Sequence, residues 1–412
     1  MEKTHSIKHG DIVHRCFRCG YCKFPSDYVD FNCPSYKAFG WDTYSPGGRM
    51  WLIRGWMNGE IKSSPHFAEI MYACVACDNC KNQCVFPKFR DSLPEIFEEV
   101  KAGLVEEGIV PPPVRDYFKA MTINGNPYKL PQETRGDWAE GINIPKFSGQ
   151  EYLYYVGDVG SFDEVGRKMA RSVARVLLMA GVSIGILKER ETSDGNDVKA
   201  MGETELFKQL TLDNIATFKD KGIKKVIALD PHAFNVFKND YPALGADFRV
   251  FHHTEILAEL LREKRITLFD YPARVTYHDP CYLGRHNGIY QPPRDVLKSI
   301  PGLELVEMQQ HGVNSFCCGG GGGNFFTDIL GAAEEKPNTV RIGQALETGA
   351  GIIAVACPNC AKMLSDAVKE LGIEDRMEIL GIAEIIERAS DRRKVGAAGT
   401  SSFPDQAGEP EG

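Results

Sequence analysis

The chain has 412 residues, with 48 Lys plus Arg against 56 Asp plus Glu, a net charge of −8. Such a length predicts two or three domains, and 43% hydrophobic with 25% charged residues suits a globular chain with a real core. The acidic balance, without a long Lys/Arg block, argues against nucleic acid and anionic membrane as main partners. No apolar signal core follows Met1, and the most apolar stretch, 173–187, is 15 residues long and contains Arg175. It is too short to span a bilayer, so the expectation is a cytoplasmic protein with no export signal.

Thirteen cysteines set the functional question. Their odd number, close spacing and lack of a secretion signal point to metal sites rather than disulfides. Residues 1–110 hold Cys16-x2-Cys19-x2-Cys22 with Cys33-Pro34, then Cys74-x2-Cys77-x2-Cys80-x3-Cys84. Both runs follow the bacterial dicluster ferredoxin pattern, in which three close cysteines wrap one cubane and the other run supplies the fourth ligand. Cys16, Cys19, Cys22 and Cys84 are therefore assigned to one cubane 4Fe–4S cluster, and Cys33, Cys74, Cys77 and Cys80 to a second. Zinc also accepts four thiolates, but its ribbons pair two Cys-x-x-Cys units instead of two three-cysteine runs. Apolar spacing predicts helices between Pro65 and Lys88 and over Leu93 to Val100. Trp51, Trp56 and Met57 are read as apolar cover for the cubanes.

Residues 111–150, with Pro111-Pro112-Pro113 and Asn124-Gly125-Asn126-Pro127, read as a linker along a surface. From residue 151 strand-like and helix-like segments alternate. Strands are predicted at Tyr152–Gly157, Lys224–Leu229, Arg274–His278 and Gly351–Ala356. Helices are predicted over Ala170–Val182 and near Glu205–Asp220 and Pro293–Ser299. Alternation of this kind specifies parallel α/β units. It also hides a repeat: Asp158 overlays Cys281, Ser193-Asp194 overlays Cys317-Cys318, and Asp230 overlays Cys357, at offsets of 123, 124 and 127 residues. Residues 151–265 are thus a copy of 266–390 stripped of its cysteines, with Ala233 near the place of Cys360. The Gly-, Ala-, Ser- and Pro-rich stretch 391–412 is expected to be a disordered tail.

The remaining five cysteines, Cys281, Cys317, Cys318, Cys357 and Cys360, sit where parallel strands should end, the usual place for sites in open α/β sheets. Adjacent Cys317 and Cys318 strain a single small tetrahedral metal but can reach two irons of a larger cluster. Five thiolates are one too many for a simple cubane. Gly319 to Gly323 follow without the Lys-Ser/Thr of a phosphate loop. Gly319, Gly320 and Gly321 are read as bringing backbone N–H donors close to cluster sulfides, against the plainer reading of a flexible loop. His278, Arg285 and His286 flank Cys281 and are candidate proton donors or anion anchors; the alternative is packing and support.

These cysteines, with the motifs Cys317-Cys318-Gly319 and Cys357-Pro358-Asn359-Cys360, resemble the cysteine-rich motif of heterodisulfide reductase catalytic subunits. With the ferredoxin module in front, the chain resembles the single-chain form, and relatives in sulfate-reducer membrane complexes and class II benzoyl-CoA reductase assemblies. The resemblance implies a noncubane 4Fe–4S cluster on Cys281, Cys317, Cys318, Cys357 and Cys360, with Cys317 and Cys318 at the catalytic centre. Family catalytic subunits carry two such motifs; here the first has lost its cysteines, so one noncubane cluster is expected. Two functions follow. One is an iron–sulfur oxidoreductase subunit acting on a thiol/disulfide-type substrate. The other is an electron relay without a substrate of its own. Lacking a dinucleotide fingerprint, either needs other subunits of a redox complex, flavin-containing or haem-containing, and such a partner could hold the protein at the cytoplasmic face of a membrane.

Overall fold

The computed structural model describes residues 5–24 and 30–391. Short apolar runs form two four-stranded parallel sheets. The first contains β1 (Tyr152–Tyr155), β2 (Ile184–Gly185), β3 (Lys225–Ala228) and β4 (Arg249–His252), in the order β2-β1-β3-β4. The second contains β5 (Ala273–Tyr277), β6 (Leu303–Val306), β7 (Ile352–Val355) and β8 (Glu378–Gly381), in the order β6-β5-β7-β8. Every pairing is parallel, and the second order repeats the first strand for strand. The sequence repeat is therefore a structural one.

Buried parallel strands read as continuous apolar runs because helices cover both faces. One face of the first sheet packs Leu153, Tyr155 and Val226 on Phe218, Val236 and Phe237. Its other face shares a core with the second sheet, joining Tyr154, Val173, Leu177 and Ile227 to Ile353, Leu364 and Ile385. Helix Glu164–Met179 lies at that junction, and its Arg175 ion-pairs with Glu387 of the other unit. This helix starts six residues before the predicted Ala170, because the Asp163 side chain accepts from the N–H groups of Val165 and Gly166.

The amino-terminal module is helical, with Pro46–Met57, Pro65–Tyr72 and Leu93–Glu106 as its main elements. The periodic run from Pro65 to Lys88 forms separate helices, Pro65–Tyr72 and the short Asn79–Gln83 and Pro87–Arg90. Ala76 and Asp78 adopt left-handed backbone angles, φ 47° and 58°, which opens a loop around Cys74, Cys77 and Cys80. Segment 111–150 contains helix Pro112–Asn124, with Val114, Tyr117, Ala120 and Met121 buried, and a 3-10 stretch, Gln132–Ala139. The tail expected to be disordered lies, apart from Asp391, outside the described residues. Among the described residues no helix is long and apolar enough to cross a membrane.

Candidate metal centres and their surroundings

The amino-terminal cysteines face two cavities. One is lined by Cys16, Cys19, Cys22 and Cys84 with Pro46, Gly47 and Met50. The other is lined by Cys33, Cys74, Cys77 and Cys80 with Arg49 and Lys101. Each thus gathers one of the two sets expected from spacing. Burial pushes the Cys22 and Cys80 thiols up, so a binding metal must displace protons that these thiols otherwise retain. Cations stand ready beside the inner set. Arg49 is buried and donates to Ile70 O at 2.8 Å and Ser35 Oγ at 3.0 Å; burial pushes the Cys33 thiol up, and the Arg49 charge partly offsets this. Lys101 Nζ donates to Ala200 O at 3.0 Å and Cys74 O at 3.4 Å, tying this loop to the first α/β unit. Trp51 donates Nε1–H to Cys16 O at 3.0 Å beside the outer set, whereas Trp56 is buried elsewhere, against Phe67.

The carboxy-terminal cysteines form a third nest. Cys281 follows β5, Cys357 follows β7 and caps helix Pro358–Glu370, and Cys317-Cys318 arrive on the loop after β6. Their sulfurs converge: Cys317 Sγ lies 3.9 Å from Cys281 Sγ, and Cys318 Sγ 3.4 Å from Cys360 Sγ. No member of the five is more than 6% exposed. Gly319 N–H donates to Cys317 Sγ at 3.4 Å. His278 points at Cys318 and Cys360, while its Nδ1 accepts from Arg341 Nε at 3.1 Å. That leaves the other ring nitrogen as the proton carrier facing sulfur. Hydrogen bonds with Cys317, then Cys360, outweigh burial and hold the Cys318 thiol well below its ordinary value; His278 adds to this.

The inner ferredoxin loop and the third nest touch. The Cys77 and Cys317 side chains are buried in one cluster, where each perturbs the other. Arg285 and His286 seal that seam: Arg285 Nε donates to Cys77 O at 2.6 Å, and His286 Nε2 meets Ala76 O at 2.9 Å while its ring stacks on Tyr282. Both candidates therefore face the ferredoxin loop. The glycine run does so too. A Cβ on Gly321 would sit 2.4 Å from Val75 O, and one on Gly322 2.6 Å from Cys74 O, so side chains there would force the two modules apart.

In the first α/β unit Asp158, Ser193, Asp194 and Asp230 line a small cavity of about 20 Å³, together with Asp197 and His232. Asp230 Oδ1 reaches to 3.9 Å from Cys357 Sγ. Ala233 is buried in the sheet core instead. Arg135, from the segment before β1, pairs with Asp158 at 2.7 Å and lies 3.6 Å from Glu191. Sequence reasoning passed over Arg135, Arg341 and His232; only His232, two residues from the repeat position Asp230, carried a usable signal.

Three thiolate nests on a helical dicluster module and two repeated α/β units define a class, that of iron–sulfur redox proteins. Comparison with known proteins agrees. Residues 12–86 match the 4Fe–4S dicluster domain and residues 275–365 the cysteine-rich domain. One subunit of the dihydromethanophenazine:CoB–CoM heterodisulfide reductase of Methanosarcina barkeri is 31% identical, over 89% of this chain and 93% of that protein. The chain belongs to this family of heterodisulfide reductase subunits. A probable iron-sulfur-binding oxidoreductase, FadF, of Bacillus subtilis is 35% identical over 78% of the chain, and the EtfAB:quinone oxidoreductase of Syntrophomonas wolfei 32% over 79%. The chain spans about half the length of these last two, 46% and 47%. A hypothetical protein from Helicobacter pylori shares the fold, with a TM-score of 0.57 at 13% identity, over 85% of this chain and 69% of its own.

Proposed function

We propose that the protein is the iron–sulfur subunit of an oxidoreductase, with two cubane clusters leading to one noncubane 4Fe–4S cluster that acts on a thiol/disulfide-type substrate. The carrying observation is the contact between Cys77 and Cys317, which puts the inner ferredoxin set against the third nest. Bound clusters supply one-electron redox chemistry. The chain's own residues do the rest. Arg49, Lys101 and Arg285 offset thiolate charge in a water-poor interior, where an uncompensated charge is costly. His278 holds a proton next to Cys318, oriented by Arg341.

Relatives named as part of heterodisulfide reductase and as EtfAB:quinone oxidoreductase support a place in a multi-subunit redox complex, with a flavin- or haem-containing partner. We place that complex in the cytoplasm or at its membrane face. A second reading, a relay with no substrate, draws on the burial of all five carboxy-terminal cysteines; the relatives' names as oxidoreductases support the first. The test is an assay of the anaerobically purified, cluster-loaded protein against disulfides and persulfides with a one-electron donor. Turnover lost on Cys318→Ala supports the enzyme; electron uptake with no turnover of any disulfide or persulfide sinks it.

A further inference from the structure

The outer cysteine set is rimmed by apolar side chains that the fold leaves in solvent. Phe17 and Tyr21 lie within the first cysteine run, and Val85 and Phe86 directly follow Cys84. All four are exposed, as is Trp51, whose indole donates to Cys16 O. Phe17 and Phe86 meet edge to face with ring centroids 4.9 Å apart, which joins the two cysteine segments into one patch. Cys19 opens onto the same rim. Contiguous exposed apolar surface with a polar border marks an interaction site.

The border is basic. The Arg18 guanidinium stands 4.4 Å from the centroid of the Trp51 ring and that of Arg54 5.3 Å. Arg90 acts on Cys84 through its charge, opposing the burial that pushes this thiol up. All three arginines are exposed, and Arg15 adds a fourth exposed cation. Asp42, the carboxylate that feels Arg18, is taken by Lys23 Nζ at 2.7 Å. The other exposed carboxylates of these cysteine segments are Asp11 and Asp91. A net positive rim on a chain of charge −8 is a local feature.

An aromatic centre within an arginine border is the composition of a binding hot spot. We propose that this face docks an electron-carrier protein whose redox centre is ringed by carboxylates. The aromatic patch meets the apolar centre of the carrier, and Arg18, Arg54 and Arg90 meet its acidic border. Opposite charge speeds the encounter, and like charge rejects a carrier with a basic border. The docking face rests on the electron route proposed above and deepens it by fixing the charge of the protein on its far side.

The test is anaerobic calorimetric titration of the full-length, cluster-loaded protein with a flavodoxin, which is acidic, and with cytochrome c, which is basic. Flavodoxin should bind at low ionic strength and weaken by about tenfold or more as salt screens the contact. Arg54→Glu/Arg90→Glu should weaken flavodoxin by about tenfold or more and tighten cytochrome c, a gain that misfolding does not produce. Phe17→Ala should weaken flavodoxin by about threefold or more and keep the salt dependence. The iron–sulfur signals of these variants should remain. Wild-type protein that shows no salt-dependent binding of flavodoxin, or prefers cytochrome c, overturns the proposal. Equal flavodoxin binding by the charge-reversed variant does so too. Should that variant fail to fold, Arg54→Gln and the wild-type salt dependence decide it. Flavodoxin binding without turnover of any disulfide or persulfide would sink the proposed reaction and leave the docking face standing.

Discussion

Cys318 Sγ lies 3.4 Å from Cys360 Sγ with His278 close by, and its thiol is the one of the third nest held well below its ordinary value, by Cys317 and then Cys360. It is therefore the first of the five poised to ligate as a thiolate. With the proposed clusters in place, replacing it with Ala should abolish the noncubane resonance of the oxidised protein and leave interacting cubanes in the reduced one, read by anaerobic electron paramagnetic resonance. Loss of all iron together would mean that the nests do not form independently. A different residue sets acid sensitivity. His253 is fully buried next to β3, and desolvation holds it down to about 4. A His with a lowered folded value binds its proton more readily when unfolded, so stability is present above the unfolded value near 6.5 and lost as pH falls towards 4. Urea unfolding between pH 6.5 and 4.5 should show a loss of about 1.4 kcal/mol per pH unit from this group. In His253→Phe the slope should be shallower; an equal slope would assign the effect elsewhere.

At the scale of elements, the glycine run is a spacer between modules. Gly321→Ala should cost about 1–3 kcal/mol through overpacking against Val75 O and weaken magnetic interaction between the inner cubane and the third nest. Retained iron with an unchanged interaction would show that the contact does not set the spacing. Much of this level was legible beforehand. β1, β3 and β7 fall within the predicted runs, and β5 starts one residue early at Ala273, because central parallel strands are unbroken apolar stretches. The loop around Cys74 to Cys80 was not, since apolar period continues through it and only the left-handed Ala76 and Asp78 break the helix. Sequence spacing sorted the amino-terminal cysteines into the two sets that line separate cavities. Long-range partners such as Arg135 with Asp158 or Arg341 with His278 leave no local trace, because pairing across folded elements has no period.

Across the whole molecule the three nests form a series. Cys22 and Cys33, from the outer and inner sets, feel each other's charge, and Cys77 meets Cys317. Three 4Fe–4S clusters require about 12 iron and about 12 sulfide per chain. Anaerobic analysis that finds stoichiometric zinc and little iron would remove the iron–sulfur assignment altogether.

Shielding along this series is uneven. Cys19 is exposed, with Phe17 60% and Trp51 40% exposed around it, whereas Cys33, Cys77 and all five carboxy-terminal cysteines are buried. Oxygen attacks accessible thiolate-bound iron first. Brief air exposure should therefore bleach the outer set while the inner two persist, seen as stepwise iron release with the noncubane resonance surviving longest. The exposed set is then the fuse of the molecule: oxidative stress removes it first and spares the buried end of the series.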